Sequence, residues 1–67
     1  MDNAEYKSIR KSLGTQAEVA DMLGVTTMTI KRREKRGGLL TREAILSIRW
    51  IKRVAIAASK AEQQSNQ

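Results

Sequence analysis

Between positions 31 and 36 five cationic side chains, Lys31, Arg32, Arg33, Lys35 and Arg36, crowd around a single carboxylate, Glu34. Groups at this density bind polyanions. Lys brings a point charge to a phosphate, and the planar fork of Arg pairs bidentately with a phosphate or with the O6 and N7 acceptors of guanine. Taken alone, such a run fits a solvated face or a general polyanion site more readily than a sequence reader. Just ahead of it stand Thr26, Thr27 and Met28, two hydroxyls and a chain limited to apolar contact, for example with a thymine methyl. Bond-breaking chemistry has little to work with. There is no His and no Cys, and no two carboxylates fall at a spacing that suggests a general acid and base. Neither catalysis, a metal site nor a cofactor is expected.

The whole chain agrees with the block. In 67 residues, 13 Lys and Arg face 7 Asp and Glu, a formal charge of +6. That balance suits nucleic acid or an acidic membrane surface. The length holds one domain and buries barely enough surface to fold alone, and without Cys no disulfide can help, so stability must come from a compact apolar core or from a core shared with a second copy. The apolar runs fall well short of the roughly 20 residues of a membrane span, and MDNAEYKS lacks the hydrophobic centre of a secretory signal. The expectation is a soluble, cytoplasmic protein, associated with the nucleoid through what it binds. Pro is absent, Tyr6 and Trp50 are the only aromatic residues, and strand-like alternation is not found. The predicted fold is all-α.

The elements that must position the block can be read in order. Asp2 or Asn3 caps a first helix, with Glu5 completing a capping box, and Tyr6, Ile9 and Leu13 share its inner face while Lys7, Arg10 and Lys11 form a solvated remainder. Gly14 ends it. Thr15 and Glu18 form a second capping box, opening a helix from Gln16 to Leu23 whose inward stripe is Val19, Ala20 and Leu23, with Met22 at its edge. Ala20 is small enough for a close helix crossing, Gly24 supplies the positive φ of a sharp turn, and Val25 plugs the corner. Thr26 caps a third helix, from Thr27 to about Arg36. At about 100° per residue, Ile30 faces the core with Arg33 beside it, and Thr27, Met28, Lys31, Arg32 and Lys35 share the opposite face. Thr27, Met28, Lys31 and Arg32 are expected at base edges, and Thr26, Arg33, Lys35 and Arg36 at phosphates.

The pattern of Gln16, Ala20, Gly24, Val25, Ile30, Glu34 and Gly37 resembles the helix-turn-helix of the Cro and cI repressor-like (XRE) class, which includes small regulators of phages and mobile elements; the short anti-CRISPR-associated repressors have a similar build. The resemblance covers residues 4 to 55 and is strongest from Thr15 to Gly37. It implies a compact lambda-repressor-like domain of four, at most five, helices, with the helix-turn-helix at helices 2 and 3, that binds double-stranded DNA. It further implies that Gln16 binds a phosphate while bracing the recognition helix, and that Thr27, Met28 and Arg32 touch bases. Two positions depart from the family. Arg33 stands where a large apolar residue is common, so that its alkyl stem must fill the corner while the guanidinium reaches a phosphate, and the loop between helices 1 and 2 is a residue shorter.

After Gly37 and Gly38, Leu39 and Leu40 return the chain to the core, and Thr41 caps a long helix from Arg42 to about Ala61. Two apolar stripes run along it: Ala44, Ile48, Ile51, Ala55 and Ala58, and about 120° away Leu46, Trp50, Val54 and Ala57. A three-helix core covers one of them. The other is expected to pair with its own copy in a two-fold homodimer, which suits inverted-repeat operators with half-sites roughly 34 Å apart. The alternative is a break near Lys52 that folds the helix back. Residues 1–61 thus form the DNA-binding and dimerisation domain, and residues 62–67 a polar, disordered tail. The function expected is a transcriptional regulator, a dimeric repressor that occludes its promoter. An excisionase-like architectural protein is the alternative, although no strand pattern follows Gly38 to make its wing; a basic amphipathic helix acting on membranes or proteins is the third reading.

Overall fold

A computed structural model of the chain describes residues 1–65, with side chains described through Lys60. The described residues form four helices, α1 (Asn3–Leu13), α2 (Gln16–Leu23), α3 (Thr27–Glu34) and α4 (Arg42–Ser65), and no strand. The helix starts follow local chemistry. The Asp2 carboxylate accepts the Glu5 N–H at 2.8 Å, and Thr26 and Thr41 accept those of Thr29 and Ala44, both at 3.2 Å. Only Thr15 and Glu18 form a reciprocal capping box. At the first helix Asp2 is the cap, and the Asn3 side chain is directed elsewhere.

The core has two joined parts. Tyr6, Ala44 and Ile48 bring α1 and α4 together, with Ile9, Leu13 and Leu40 packed around them. Val19, Ala20 and Ile30 bring α2 and α3 together, flanked by Leu13, Leu23 and Val25. Leu13 belongs to both, so the end of α1 fastens the α2–α3 pair to the α1–α4 pair. Leu39, expected to return to the core with Leu40, is instead 81% exposed.

α4 is continuous through Lys52, whose Nζ donates to Ser12 Oγ at 2.7 Å. The break considered from the sequence is therefore not formed. Of the first apolar stripe, Ala44, Ile48 and Ile51 are buried, whereas Ala55 and Ala58 are exposed because the helix has by then passed the end of the body. Leu46, Trp50 and Val54 of the second stripe are 52%, 64% and 47% exposed. The helix also continues to Ser65, four residues past its expected end at Ala61; the rest of the expected tail, Asn66 and Gln67, lies outside the described residues.

Candidate nucleic-acid interface

The corner between α2 and α3 is set by backbone geometry. Gly24 takes the left-handed conformation, φ 70° and ψ 30°, which side-chain-bearing residues adopt at a cost of about 1–2 kcal/mol. The Val25 N–H then reaches back to the Ala20 carbonyl at 2.9 Å, closing the turn over the small residue at the crossing. Val25 packs on Val19, Ala20 and Ile30. With Ile30 fully buried, the opposite face of α3, carrying Met28, Lys31 and Arg32, turns outward.

That outward face holds the expected base-reading side chains together. Met28 is 56% exposed, Lys31 and Arg32 are exposed, and Thr27 is half-buried at the first turn. Lys35 and Arg36 are exposed too, but the helix expected to carry them ends at Glu34. Lys35 is extended, and Gly37 turns at φ 80°. Gly38 follows against the last turn of α3, where a Cβ would lie 1.9 Å from the Arg32 carbonyl oxygen. The Asn3 amide donates to the Arg33 carbonyl at 2.7 Å and to the Gly38 carbonyl at 3.1 Å, supplying one of the carbonyls that a helix end leaves without a partner. The Thr26 hydroxyl is occupied as the cap of α3 and bonds the Thr29 hydroxyl at 3.0 Å.

Beneath the face lies a polar brace that the sequence reading missed. Glu34 sits in the middle of the basic block, yet its side chain is only 5% exposed. One carboxylate oxygen accepts Arg10 Nε and the other accepts Gln16 Nε2 at 2.6 Å. Arg10, expected on a solvated face, is buried, and its second donor group meets the Gly14 carbonyl at 3.2 Å. The reason is its register: Arg10 follows Tyr6 by four positions and lies within the Tyr6, Ile9 and Leu13 stripe. The brace ties α1, the start of α2 and the end of α3 together. It is the one salt bridge among the described residues, so the carboxylate of the basic block is turned inward, away from the exposed Lys31, Arg32, Lys35 and Arg36.

Arg33 does not join the outward set. Its guanidinium donates to the Tyr6 hydroxyl at 3.1 Å and lies 6.0 Å from the ring centre, a cation–π distance. The charged end expected at a phosphate is thus turned to Tyr6 of α1. Gln16 braces α3 through Glu34, with its amide nitrogen engaged there. The charge of Glu18, at the start of α2, is held in place as well: its carboxylate accepts the Thr15 N–H and is linked to the Thr15 side chain, which keeps its pKa below the ordinary 4.5.

Residues 13–38 match the family described as Sigma-70, region 4. The matched stretch runs from the end of α1 through α2 and α3 to Gly38, and leaves most of α1 and all of α4 outside. This likeness is to a helix-turn-helix DNA-binding domain and does not select the Cro and cI type. No curated protein and no solved structure matches the chain. The turn geometry and the matched family agree on one point: α2 and α3 form a helix-turn-helix of the DNA-binding kind.

Proposed function

We propose that the chain is a dimeric, Cro-like transcriptional repressor, a binding protein with no catalytic role, acting in the cytoplasm on the nucleoid. α3 enters the major groove of an inverted-repeat operator. Thr27, Met28, Lys31 and Arg32 read base edges, and Arg32 is the side chain suited to guanine. Lys35 and Arg36, with Thr26 and Gln16 at the two helix starts, hold phosphates and fix the register. Arg33 contributes from below, by positioning α3 against Tyr6. The observation that carries the reading is the outward face of α3, which gathers two cations, a hydroxyl and an unbranched apolar side chain over a buried carboxylate brace. The excisionase-like alternative is disfavoured because only Leu39, Leu40 and Thr41 separate Gly38 from α4, with no strand among the described residues.

Two copies pair through Leu46, Trp50, Val54 and Ala57, and occlusion of the promoter follows from occupancy of both half-sites. Selection of bound duplexes from a random pool tests the whole reading. Recovery of a palindrome with half-sites about one turn apart is expected. A recovered single, non-repeated site removes the dimeric operator, and a pool with no enriched sequence removes specific recognition altogether.

A further inference from the structure

Along α4 one apolar face stays uncovered from Leu46 onward, and past Lys52 the helix is exposed all round through Lys60. Leu46, Trp50 and Val54 are about half to two-thirds exposed, and Ala57 continues their line at about 100° per residue. Along one edge of this stripe stand Arg42, Arg49, Arg53 and Lys60, all exposed and within about 40° of one another around the helix. Leu46, Trp50, Arg49 and Arg53 line an open groove of about 440 Å³. The opposite edge carries Ser47 and Ala58, without charge. Among the described side chains of α4, Glu43 is the one carboxylate.

This asymmetry bears on what fits there. In an antiparallel two-fold pair each edge meets the same edge of the other copy, so cations meet cations. In a parallel pair the cationic edge meets the neutral one. Either way a second copy covers the apolar stripe, and the described side chains of its α4 offer one carboxylate, Glu43, for four cations. Four stripe residues are also few beside the 20–30 per side of a standard interface, so a self-pair held by them is readily exchanged. A helix with an apolar seam and carboxylates along one edge satisfies stripe and cations together, since arginine forks pair with carboxylates bidentately.

We propose that this face of α4 docks an acidic amphipathic helix of a partner protein, which displaces the second copy and thereby uncouples the two reading heads. The docking stands on the face itself; the regulatory consequence rests on the dimer reading above. A helix of about 18 residues spans roughly 27 Å, enough to run from Arg42 past Ala57.

The test uses two synthetic helical peptides with one leucine seam, the first flanked by Glu and the second by Gln. Trp50, the single Trp of the chain, reports binding to the full chain by its emission. The Glu peptide is expected to bind about tenfold more tightly than the Gln peptide in low salt. That advantage should vanish in Arg49→Gln/Arg53→Gln, which keeps the fold because both side chains are exposed, and in 1 M salt, where screening acts within about 3 Å. Equal binding of the two peptides, or binding of neither, overturns the proposal. So does a Trp50 response to phosphatidylserine vesicles with none to the Glu peptide, which would make the face a lipid-binding one. Sedimentation separates the two readings. A chain that is monomeric alone and takes up the Glu peptide keeps the docking site and removes the dimer. A dimer that the Glu peptide converts to a one-to-one complex supports both, and a dimer that the peptide leaves intact overturns the docking.

Discussion

Arg10 and Glu34 stand 24 positions apart, each four residues after a fully buried anchor, Tyr6 in one case and Ile30 in the other. Their pairing fixes the last turn of α3 to α1, and Gln16 on the same carboxylate adds the start of α2. Removing one partner leaves a buried charge without compensation, which costs about 3–5 kcal/mol. Glu34→Ala should therefore unfold so small a domain or leave it with a much lower thermal midpoint. Arg10→Met combined with Glu34→Leu should recover most of that loss. If the double substitution melts no higher than Glu34→Ala, the pair is not the origin of the effect. The outward Arg32 behaves differently. Arg32→Ala should leave the melt unchanged, weaken operator binding by about 1–3 kcal/mol and relax the preference at one base pair. Equal weakening on operator and random duplex would make it a phosphate contact. Arg32 was legible because exposure of one helix face follows from the burial of the other. The Arg10–Glu34 pair was not read, since partners so far apart leave no local period, although a charge set inside an apolar stripe was the available signal.

The helix starts and the first two ends are written in nearest-neighbour chemistry, so the sequence places them closely. Thr15, Thr26 and Thr41 cap helices through their own hydroxyls, and Gly14 and Gly24 end them. The end of α3 is otherwise. It falls at Glu34 and not near Arg36, since Asn3 from α1 and the close approach of Gly38 decide it, and neither is a local feature. The two glycines should accordingly respond unequally. Gly24→Ala meets open space and carries only the left-handed backbone strain, about 1–2 kcal/mol. Gly38→Ala drives a methyl into the Arg32 carbonyl and should cost about 3 kcal/mol. Urea midpoints of the two variants check this order, and equal midpoints would refute the close approach. The start of α2 carries a pH dependence. The Thr15 N–H, and then the Thr15 side chain, hold the Glu18 carboxyl below its ordinary 4.5. A depressed folded-state pKa stabilises fully above the unfolded value and ceases to do so as pH falls through the folded one. The native chain should thus melt above Glu18→Gln at pH 7, with the gap closing below pH 4.5. A gap independent of pH would assign the effect to hydrogen bonding of the amide alone.

Over the whole molecule, the four helices occupy 45 × 21 × 17 Å, and the long dimension belongs to α4, whose 24 residues span about 36 Å. Two apolar stripes on one helix already implied that a single body covers one of them. The sequence could not say how far the body reaches along α4, because that depends on where α1 ends against it, near Ser12 and Lys52. The consequence is that Trp50 lies over solvent beside the body instead of within it, and its removal separates assembly from folding. Trp50→Ala should retain the helical signal of the native chain, since the side chain is 64% exposed, and lose only the concentration-dependent part of the melting midpoint that pairing adds by mass action. At micromolar concentration the native chain should sediment at about twice its 7.5 kDa, and the variant nearer to that mass. On DNA, affinity for a single half-site should be unchanged, while the gain from joining two half-sites should fall, because the coupling between heads is the only quantity lost. A native chain that sediments at 7.5 kDa throughout this range would remove the self-pair from α4 while leaving the reading of one half-site by α3 intact.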